Sequence, residues 1–337
     1  MTNAERFKNC MAFQPVDRLP AIESFPWWDQ TLERWYAEGL PRSLTDAYEI
    51  GRWFGLDMHR WWWMSPRWDI ALRPGRSRQQ GLVDNPDEYA ELVAPFLRDP
   101  HFSNPPYYDE GALARFAGER KAGDVFLWLQ IDGFFWFPRE CLGIEKHLYA
   151  FYDQPEFLHR INADLVDYTL ALLEKLFKVC VPDVIAFAED MSYNQGSMIS
   201  RASYDEFISP YYRKIIPFIK EHGCTPIIDT DGLVDKLIPW LEEDGIEGAS
   251  PMERQAANDL AKIRRDHPGF KMMGGFDKRT IHQGEEAMRE EFERILPVMR
   301  SGGYIPSVDH QTPPDVSLEM YKRYASLLHE YCRKAGN

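Results

Sequence analysis

The chain has 337 residues and a formal net charge of −14, with 44% hydrophobic and 27% charged residues. This length permits one large domain with a sizeable core, and the composition is that of a folded globular protein rather than a disordered one. The negative charge, without any cluster of Lys and Arg, argues against nucleic acid and anionic membrane surfaces as partners.

The cysteines and the apolar segments bear on the cellular compartment. The five cysteines lack CxxC spacing, and their odd number argues against a disulfide framework, so we expect reduced thiols. The N-terminus has no apolar run of signal-peptide length, and no segment reaches the ~20 apolar residues of a membrane span. These features predict a cytoplasmic protein with no membrane partner.

The N-terminal part of the chain is rich in aromatic residues. LPAIES at 19–24 is expected to form a first strand, and a second is expected within 57–72. Aromatic residues make up 14% of the chain, and 11 of them are Trp. Because Trp offers a large flat surface with few rotamers, we interpret Trp27, Trp28 and Trp62 as a substrate-binding wall for a flat ring. The alternative is a hydrophobic layer without function.

The remaining sequence alternates between apolar runs and amphipathic helical stretches. Residues 73–124, rich in Pro, Gly and charge, are expected to form an insertion or lid over the mouth of the fold. The apolar runs that follow are VFLWLQID (125–132), DVIAFAED (183–190), TPIIDTDG (225–232), IEGASPME (246–253), FKMMGGFD (270–277) and YIPSVDH (304–310).

Such alternation predicts a parallel sheet covered by helices. Together with the two N-terminal strands the count reaches eight. This favours a single (β/α)8 TIM-barrel domain over residues 1–337, with an N-terminal helical extension. A doubly wound open sheet is the alternative, although no GxGxxG motif follows the first strand.

Nearly every predicted strand ends in an acid. In a barrel the carboxyl ends of the strands surround the active site. Converging carboxylates repel each other, so we expect a cation among them, either a basic side chain or a metal ion. Some of these acids are expected to cap helices instead. The strand-end acids are Asp132, Glu189, Asp190, Asp229, Asp231, Glu253, Asp277 and Asp309, the last followed by His310.

Four of these residues form a candidate metal site. Asp229 and Asp231 are two residues apart, so both side chains leave the same face of a strand. His310 and Glu189 come from two other strand ends. This donor set suits Zn²⁺, or a harder ion such as Mn²⁺ or Fe²⁺. Glu189 and Asp231 are also the candidate catalytic acids.

Three further residues are candidates for binding a small-molecule substrate. Tyr193 and Asn194 follow the fourth strand on a loop of the same face, where either could hydrogen-bond a ligand. Lys278 and Arg279 follow the seventh strand and could supply positive charge among the acids. We assign substrate binding to Arg279.

Both ends of the chain resemble the uroporphyrinogen decarboxylase superfamily. ERFKNCMAFQPVDRLP is similar to its opening motif, a helix that leads through a P-x-DR-x-P turn into the first strand. GGYIPSVDHQTPPDVSLEMYKRYASLL resembles its last strand and helix. The resemblance covers nearly the whole chain and implies a (β/α)8 barrel enzyme. Barrels of this family often pair, so a homodimer is one assembly that it implies.

The superfamily includes decarboxylases and zinc-dependent methyltransferases that exchange methyl groups with a corrinoid protein. The RQAGR segment, with which the decarboxylases hold tetrapyrrole carboxylates, is replaced here by ESFPWWDQTLERWY. The H-x-C-G of the methyltransferases becomes D-T-D-G (229–232), and their last-strand Cys becomes His310. These positions keep metal-capable groups without thiolates, which leaves a stronger Lewis acid suited to an oxygen atom.

The resemblance and the residues together favour a metal-dependent methyltransferase. It would move a methyl group from a small methoxylated aromatic substrate to a corrinoid protein, as an O-demethylase does. The metal, or an acid such as Glu189, would stabilise the departing phenolate. The alternative enzyme is a metal-free, uroporphyrinogen decarboxylase-like carboxy-lyase of the porphyrin biosynthesis type. A non-enzymatic binding or sensing protein is a third hypothesis.

Overall fold

The structure is a computed structural model that describes residues 1–25, 27–68, 70, 77–98 and 109–336. Seven of its strands form one parallel sheet, in the order β1-β2-β3-β6-β7-β8-β9, while β4 and β5 pair as an antiparallel hairpin. The sheet curls as in a TIM-barrel-like α/β fold. The strands are β1 (Met58–Met64), β2 (Val125–Asp132), β3 (Val184–Ala188), β4 (Ser192–Tyr193), β5 (Gly196–Ser197), β6 (Thr225–Asp229), β7 (Gly248–Ser250), β8 (Lys271–Met273) and β9 (Tyr304–Ile305).

Helices precede the sheet and connect its successive strands. The α-helices are α1 (Asn3–Met11), α2 (Asp29–Ala37), α3 (Ala47–Trp53), α4 (Pro86–Leu92), α5 (Ala94–Arg98), α6 (Glu110–Ala122), α7 (Trp136–Leu142), α8 (Ile144–Asp153), α9 (Pro155–Leu176), α10 (Arg201–Phe207), α11 (Ser209–Glu221), α12 (Ile238–Glu243), α13 (Leu260–Asp266), α14 (Glu285–Met299) and α15 (Leu318–Ala335). Their ends follow ordinary capping rules: the Ser317 side chain accepts a hydrogen bond from the Met320 N–H at the start of α15. None of the described helices is both long and apolar enough to span a membrane.

The strands predicted from residue 125 onward are confirmed, and β1 lies within the range expected for the second strand. The prediction of a strand at residues 19–24 is wrong. Pro20 has no N–H, and the Ala21 N–H donates to the Asp57 carboxylate (2.9 Å) rather than to a neighbouring strand. The segment is nevertheless held between the two edges of the sheet. The Asp57 N–H donates to the Ala21 carbonyl (2.8 Å), and the Ser24 N–H donates to Ser307 Oγ (3.0 Å), just after β9.

Two ion pairs, Arg6–Asp17 and Arg18–Asp57, hold the P-x-DR-x-P turn in place, and we call them the clamp. Arg6, on α1, donates to the Asp17 carboxylate from Nε (2.8 Å) and Nη2 (2.9 Å). Arg18 reaches in the other direction and donates to Asp57 from both terminal nitrogens, with Nη2 2.6 Å from Oδ1. Paired N–H donors match the two oxygens of a carboxylate, which makes this contact directional as well as charged. The clamp fixes residues 19–25 against the start of β1.

The predicted lid at 73–124 is only partly described. Residues 73–76 and 99–108 lie outside the described residues. The described part of the range contains α4, α5 and α6, and α6 packs on β2 and leads directly into it. We therefore assign α6 to the helical layer of the sheet. The lid itself and the N-terminal helical extension stay predictions.

The side chains of β1 and β2 alternate between two faces, which decides what lines the interior. His59 stacks on Phe126 (ring centroids 5.1 Å apart), and Trp61 and Trp63 lie on the same face two and four residues further on. The opposite face of β1, which carries Trp62, packs on α6 through Phe116 (5.7 Å). Every residue of β2 is buried. All five cysteines are buried and unpaired, as expected for reduced thiols.

Candidate active site

Acidic groups from separate parts of the chain meet at the carboxyl end of the sheet. Asp229 is the last residue of β6, and Asp231 follows in the next turn. Asp190 follows β3, and His310 follows β9. The carboxyl ends of parallel strands lie at one edge, and ligand sites of such folds form there. We call Asp190, Asp229, Asp231, Glu253, Asp309, His310 and Lys278 the strand-end cluster.

The centre of this cluster is the contact between Asp231 and His310. His310 Nε2 lies 3.8 Å from Asp231 Oδ1, and 46% of the Asp231 side chain is exposed, so the carboxyl group faces the open mouth. The ring of Phe25 stacks on the imidazole, with centroids 5.3 Å apart and planes 8° apart. An acid, an imidazole and an aromatic face therefore meet at one point.

Mutual repulsion and burial shift the protonation of these groups. Burial and the charges of Asp190 and Glu253 raise the pKa of Asp231 to about 7. Burial and the neighbouring Asp190 and Asp231 raise the pKa of Asp229 well above its usual value. Burial and the Lys278 ammonium lower the pKa of His310, which keeps the imidazole neutral. At neutral pH the cluster can therefore hold a proton on a carboxyl group.

Lys278 is one of the two basic residues that were expected to supply positive charge among the acids. Its Nζ lies 3.7 Å from Oδ1 of Asp309, whose side chain is almost fully buried. Burial raises the pKa of Asp309 to about 6, and the Lys278 charge opposes that rise. The neighbouring Arg279 donates instead to both oxygens of Asp277 (2.8 and 2.6 Å) and is half exposed. This ion pair turns the Arg279 guanidinium to Asp277, and its predicted substrate-binding role stays a prediction.

Gln130 connects the cluster to the aromatic side of the interior. Its side-chain N–H₂ donates to Asp229 Oδ2, and its oxygen accepts from Trp61 Nε1 (3.1 Å). Trp63 lies further along the same face and donates to Asp132 Oδ1 (2.9 Å). These two tryptophans, rather than Trp62, form the aromatic wall of the interior.

The structure does not bring Glu189 together with Asp229, Asp231 and His310. Its buried carboxylate accepts the backbone N–H groups of Phe134 (2.8 Å), Phe135 (2.7 Å) and Trp136 (2.9 Å), and the Tyr212 hydroxyl. It thus caps the N-terminus of α7, where anionic groups are stabilised.

The close approach of Gly133 supports a capping role for Glu189. A Cβ on Gly133 would lie 2.2 Å from the Glu189 carboxyl carbon, so only Gly allows this approach. Burial raises the Glu189 pKa to about 7, and the surrounding donors oppose that rise. Its predicted metal-binding and catalytic roles are therefore replaced by helix capping.

The predicted substrate-binding roles of Trp27, Trp28 and Trp62 stay predictions. Trp27 is buried against Trp35 (5.8 Å) and Tyr321 (5.7 Å). Trp28 precedes α2 as its N-cap and is 40% exposed. Trp62 faces α6, so the structure places it on the side of β1 away from the strand-end cluster.

Tyr193 and Asn194 lie at the tip of the β4–β5 hairpin and are exposed. The Leu233 N–H donates to the Tyr193 carbonyl (2.9 Å), and Ser192 Oγ donates to the Asp231 carbonyl (2.5 Å). Gly232, at φ +88°, packs so closely that a Cβ would lie 2.5 Å from the Tyr193 nitrogen. The hairpin therefore fixes the turn that carries Asp231, and substrate contacts of its two tip side chains stay predictions.

The predicted metal ligands do not fit a metal ion as arranged. Among the residues that the structure describes, no three or more His, Cys, Asp or Glu side chains form a group that could hold one. Glu189 is engaged by α7, and Asp229 accepts from Gln130. Asp231 and His310 remain adjacent, but they supply only two ligands to a site that needs about four.

Comparison with known sequences identifies the family. The sequence model of the family described as uroporphyrinogen decarboxylase (URO-D) matches residues 140–331. A uroporphyrinogen decarboxylase of Ruthia magnifica is 24% identical over 187 residues, which cover 54% of this chain and 52% of that protein. One of Pseudomonas fluorescens is 28% identical over 188 residues, 53% of this chain and 50% of that protein. The chain therefore spans about half the length of the curated relatives it matches.

A solved structure extends the likeness over the whole fold. A methyltransferase from Methanosarcina mazei superposes with a TM-score of 0.64, covering 98% of this chain and 99% of its own. The two share 14% sequence identity, so the likeness is one of fold. The motifs at both ends, the curled parallel sheet and the sequence match over residues 140–331 agree: the chain belongs to the uroporphyrinogen decarboxylase family.

Proposed function

We propose that this chain is a methyltransferase that removes the methyl group of a small methoxylated aromatic compound and passes it to a corrinoid carried by a partner protein. The observation that carries the proposal is the meeting of Asp231 and His310, 3.8 Å apart, with the ring of Phe25. This arrangement places a proton donor beside a surface that accepts a flat ring.

The chemical need is to make a phenolate a better leaving group. When a nucleophile takes the methyl carbon, the bond to the ether oxygen breaks and its electron pair stays on that oxygen. Asp231, whose pKa is raised to about 7, holds a proton near neutral pH and donates it to that oxygen. A neutral phenol then leaves. His310, kept neutral by burial and Lys278, positions the carboxyl group.

The corrinoid of the partner protein supplies the nucleophile when it is bound. The residues of this chain hold the ring, orient the ether oxygen and protonate it. We assign no step to a metal ion, since the predicted ligands are not grouped around a common point among the described residues.

The charge of the mouth favours methyl transfer over decarboxylation of a porphyrin-type substrate. The cluster contains five carboxyl groups. Lys278 pairs with Asp309, and Arg139, which lies on α7 outside the cluster, pairs with Asp190. A polycarboxylate substrate would be repelled by this set, whereas a neutral aryl ether would not. The curated relatives are named decarboxylases and the solved neighbour is named a methyltransferase, so both reactions belong in the test.

The test is a product assay with purified protein, 4-methoxyphenol and chemically reduced cobalamin as the methyl acceptor. We expect hydroquinone by chromatography and methylcobalamin by absorbance. Asp231→Asn should lower kcat by about 10²–10⁴-fold because the acid is lost. Asp205→Asn is the matched control, since Asp205 is exposed and paired with Arg201 (2.7 Å) on the surface. Coproporphyrinogen formed from uroporphyrinogen, with no methyl transfer, would support the decarboxylase instead.

A further inference from the structure

A cavity of about 270 Å³ lies along β1, at the edge of the sheet that the described strands form. β1 is an edge strand of the sheet, and the cavity occupies the gap between it, the segment ending at Phe25, and α3. An apolar cavity of about 150 Å³ is large enough for benzene, so this one has room for a ring with two substituents. Its aromatic lining consists of Phe25, Trp27, Tyr48, Trp61 and Phe116.

The cavity and the strand-end cluster share two side chains. Phe25 lines the cavity and stacks on His310. Trp61 lines the cavity and donates to Gln130, which in turn donates to Asp229. Barrel interiors are normally filled by packed side chains. Trp61 lies on the inner face of the sheet, yet 37% of its surface is exposed. Its ring therefore faces open space next to the cluster.

Three residues of the cavity wall carry a buried side-chain polar atom that lacks a hydrogen-bond partner among the described residues: Ser24 Oγ, Trp27 Nε1 and His59 Nδ1. Burial and the charge of Arg60 lower the His59 pKa to about 4, so the imidazole is neutral and can both donate and accept. A buried polar atom without a partner is costly, and a ligand hydroxyl would remove that cost.

We propose that this cavity binds the ring of a methoxyphenol whose hydroxyl lies opposite the methoxy group and hydrogen-bonds to His59. The choice of a methoxyphenol ring rests on the proposed function. His59 and Trp61 are two residues apart on one face of β1, which separates them by about 6–7 Å along the strand. A para-substituted ring in the cavity then directs its hydroxyl to His59 and its methoxy group past Phe25, to Asp231.

Binding can be measured without turnover, by calorimetry with 4-methoxyphenol and its isostere 4-methylanisole. Wild-type protein should bind the phenol about tenfold more tightly, the value of one hydrogen bond to a buried partner. His59→Phe should bring the two affinities to within about threefold. His222→Phe is the matched control, since His222 is exposed at the end of α11 and contacts Phe177 and Phe218. It should behave as wild type.

A second variant tests the cavity itself. A Cβ on Gly51, which lines the cavity, meets only the flexible end of Met58 closely (3.2 Å), so Gly51→Leu fills space without striking backbone. It should weaken both ligands by about tenfold or more. In crystals with 4-bromophenol, the anomalous bromine peak should lie beside Phe25, with the hydroxyl on His59.

The outcomes separate the two proposals. Equal binding of phenol and isostere by wild-type protein, unchanged binding by Gly51→Leu, or a bromine peak outside the cavity would overturn the ring assignment. Hydroxyl-dependent binding in the cavity with no methyl transfer would leave the ring assignment standing and remove only the proposed function.

Discussion

Replacement of Asp57 by Asn tests whether the P-x-DR-x-P clamp holds the N-terminal segment, and with it Phe25, against the sheet. Asp57 accepts from both terminal nitrogens of Arg18 and from the Ala21 N–H, and its side chain is 10% exposed. Asn keeps one acceptor oxygen and turns an amide N–H₂ toward the guanidinium. One charge-assisted hydrogen bond is worth about 1.5–3 kcal/mol, and loss of one partner of a fully buried pair costs about 3–5 kcal/mol.

Arg18 is 21% exposed, so water relieves part of this cost. We therefore expect Asp57→Asn to lower the free energy of unfolding by about 3 kcal/mol. The assay is urea denaturation followed by circular dichroism and tryptophan fluorescence. Asp205→Asn, in an exposed pair, should change it by less than about 1 kcal/mol. A loss below about 0.5 kcal/mol in Asp57→Asn would refute the clamp.

Three further predictions concern the site. The Asp231 pKa is raised to about 7 and the protonated form is the active one, so kcat should fall as pH rises through about 7; a rate that rises over this range would exclude Asp231 as the acid. Dialysis against EDTA should leave activity unchanged. If wild-type protein instead contains one zinc ion per chain and Asp231→Ala contains none, the cluster rearranges around an ion. Gly133→Ala should lower the free energy of unfolding by about 1–3 kcal/mol because the added Cβ would strike Glu189. Gly118→Ala is the control: its Cβ would have nothing within 4 Å on α6, so it should be neutral or stabilising. Equal stabilities of the two variants would argue against the buried cap.

The fold was predictable where hydrophobic pattern and geometry coincide. The apolar runs that form β2 and β3 are buried on both faces, and such runs alternating with helices indicate a parallel sheet. Residues 19–24 have the same apolar character. Their N–H groups find side-chain acceptors such as Asp57 and Ser307 rather than a strand, and an apolar pattern carries no information about that choice.

The position of the candidate site in the fold could be predicted from the sequence, but the directions in which its side chains point could not. The strand-end rule located Asp229, Asp231 and His310 correctly at one edge. It could not show that the Glu189 side chain points to the N-terminus of α7, since an acid that follows a strand can either cap a helix or line an active site. The signal that was available is Gly133, one residue before the N–H donors that Glu189 accepts.

In two places the structure puts the neighbouring residue where the sequence analysis expected the predicted one. In the run WWW every position is apolar, so the sequence does not show which of the three side chains face the interior of the sheet. The structure places Trp61 and Trp63 on the inner face and Trp62 on the outer one. Lys278 and Arg279 are adjacent basic residues after β8. Only the fold shows that one faces Asp309 and the other Asp277.

The most direct test of the account follows the methyl carbon itself. The protein would be incubated with 4-methoxyphenol labelled with ¹³C in its methyl group and with reduced cobalamin, and the label followed by NMR. We predict that the signal moves from the ether to a cobalt-bound methyl group as hydroquinone appears, and that this transfer is lost in Asp231→Asn. A label that stays on the ether in wild-type protein, while the ring is bound, would contradict it.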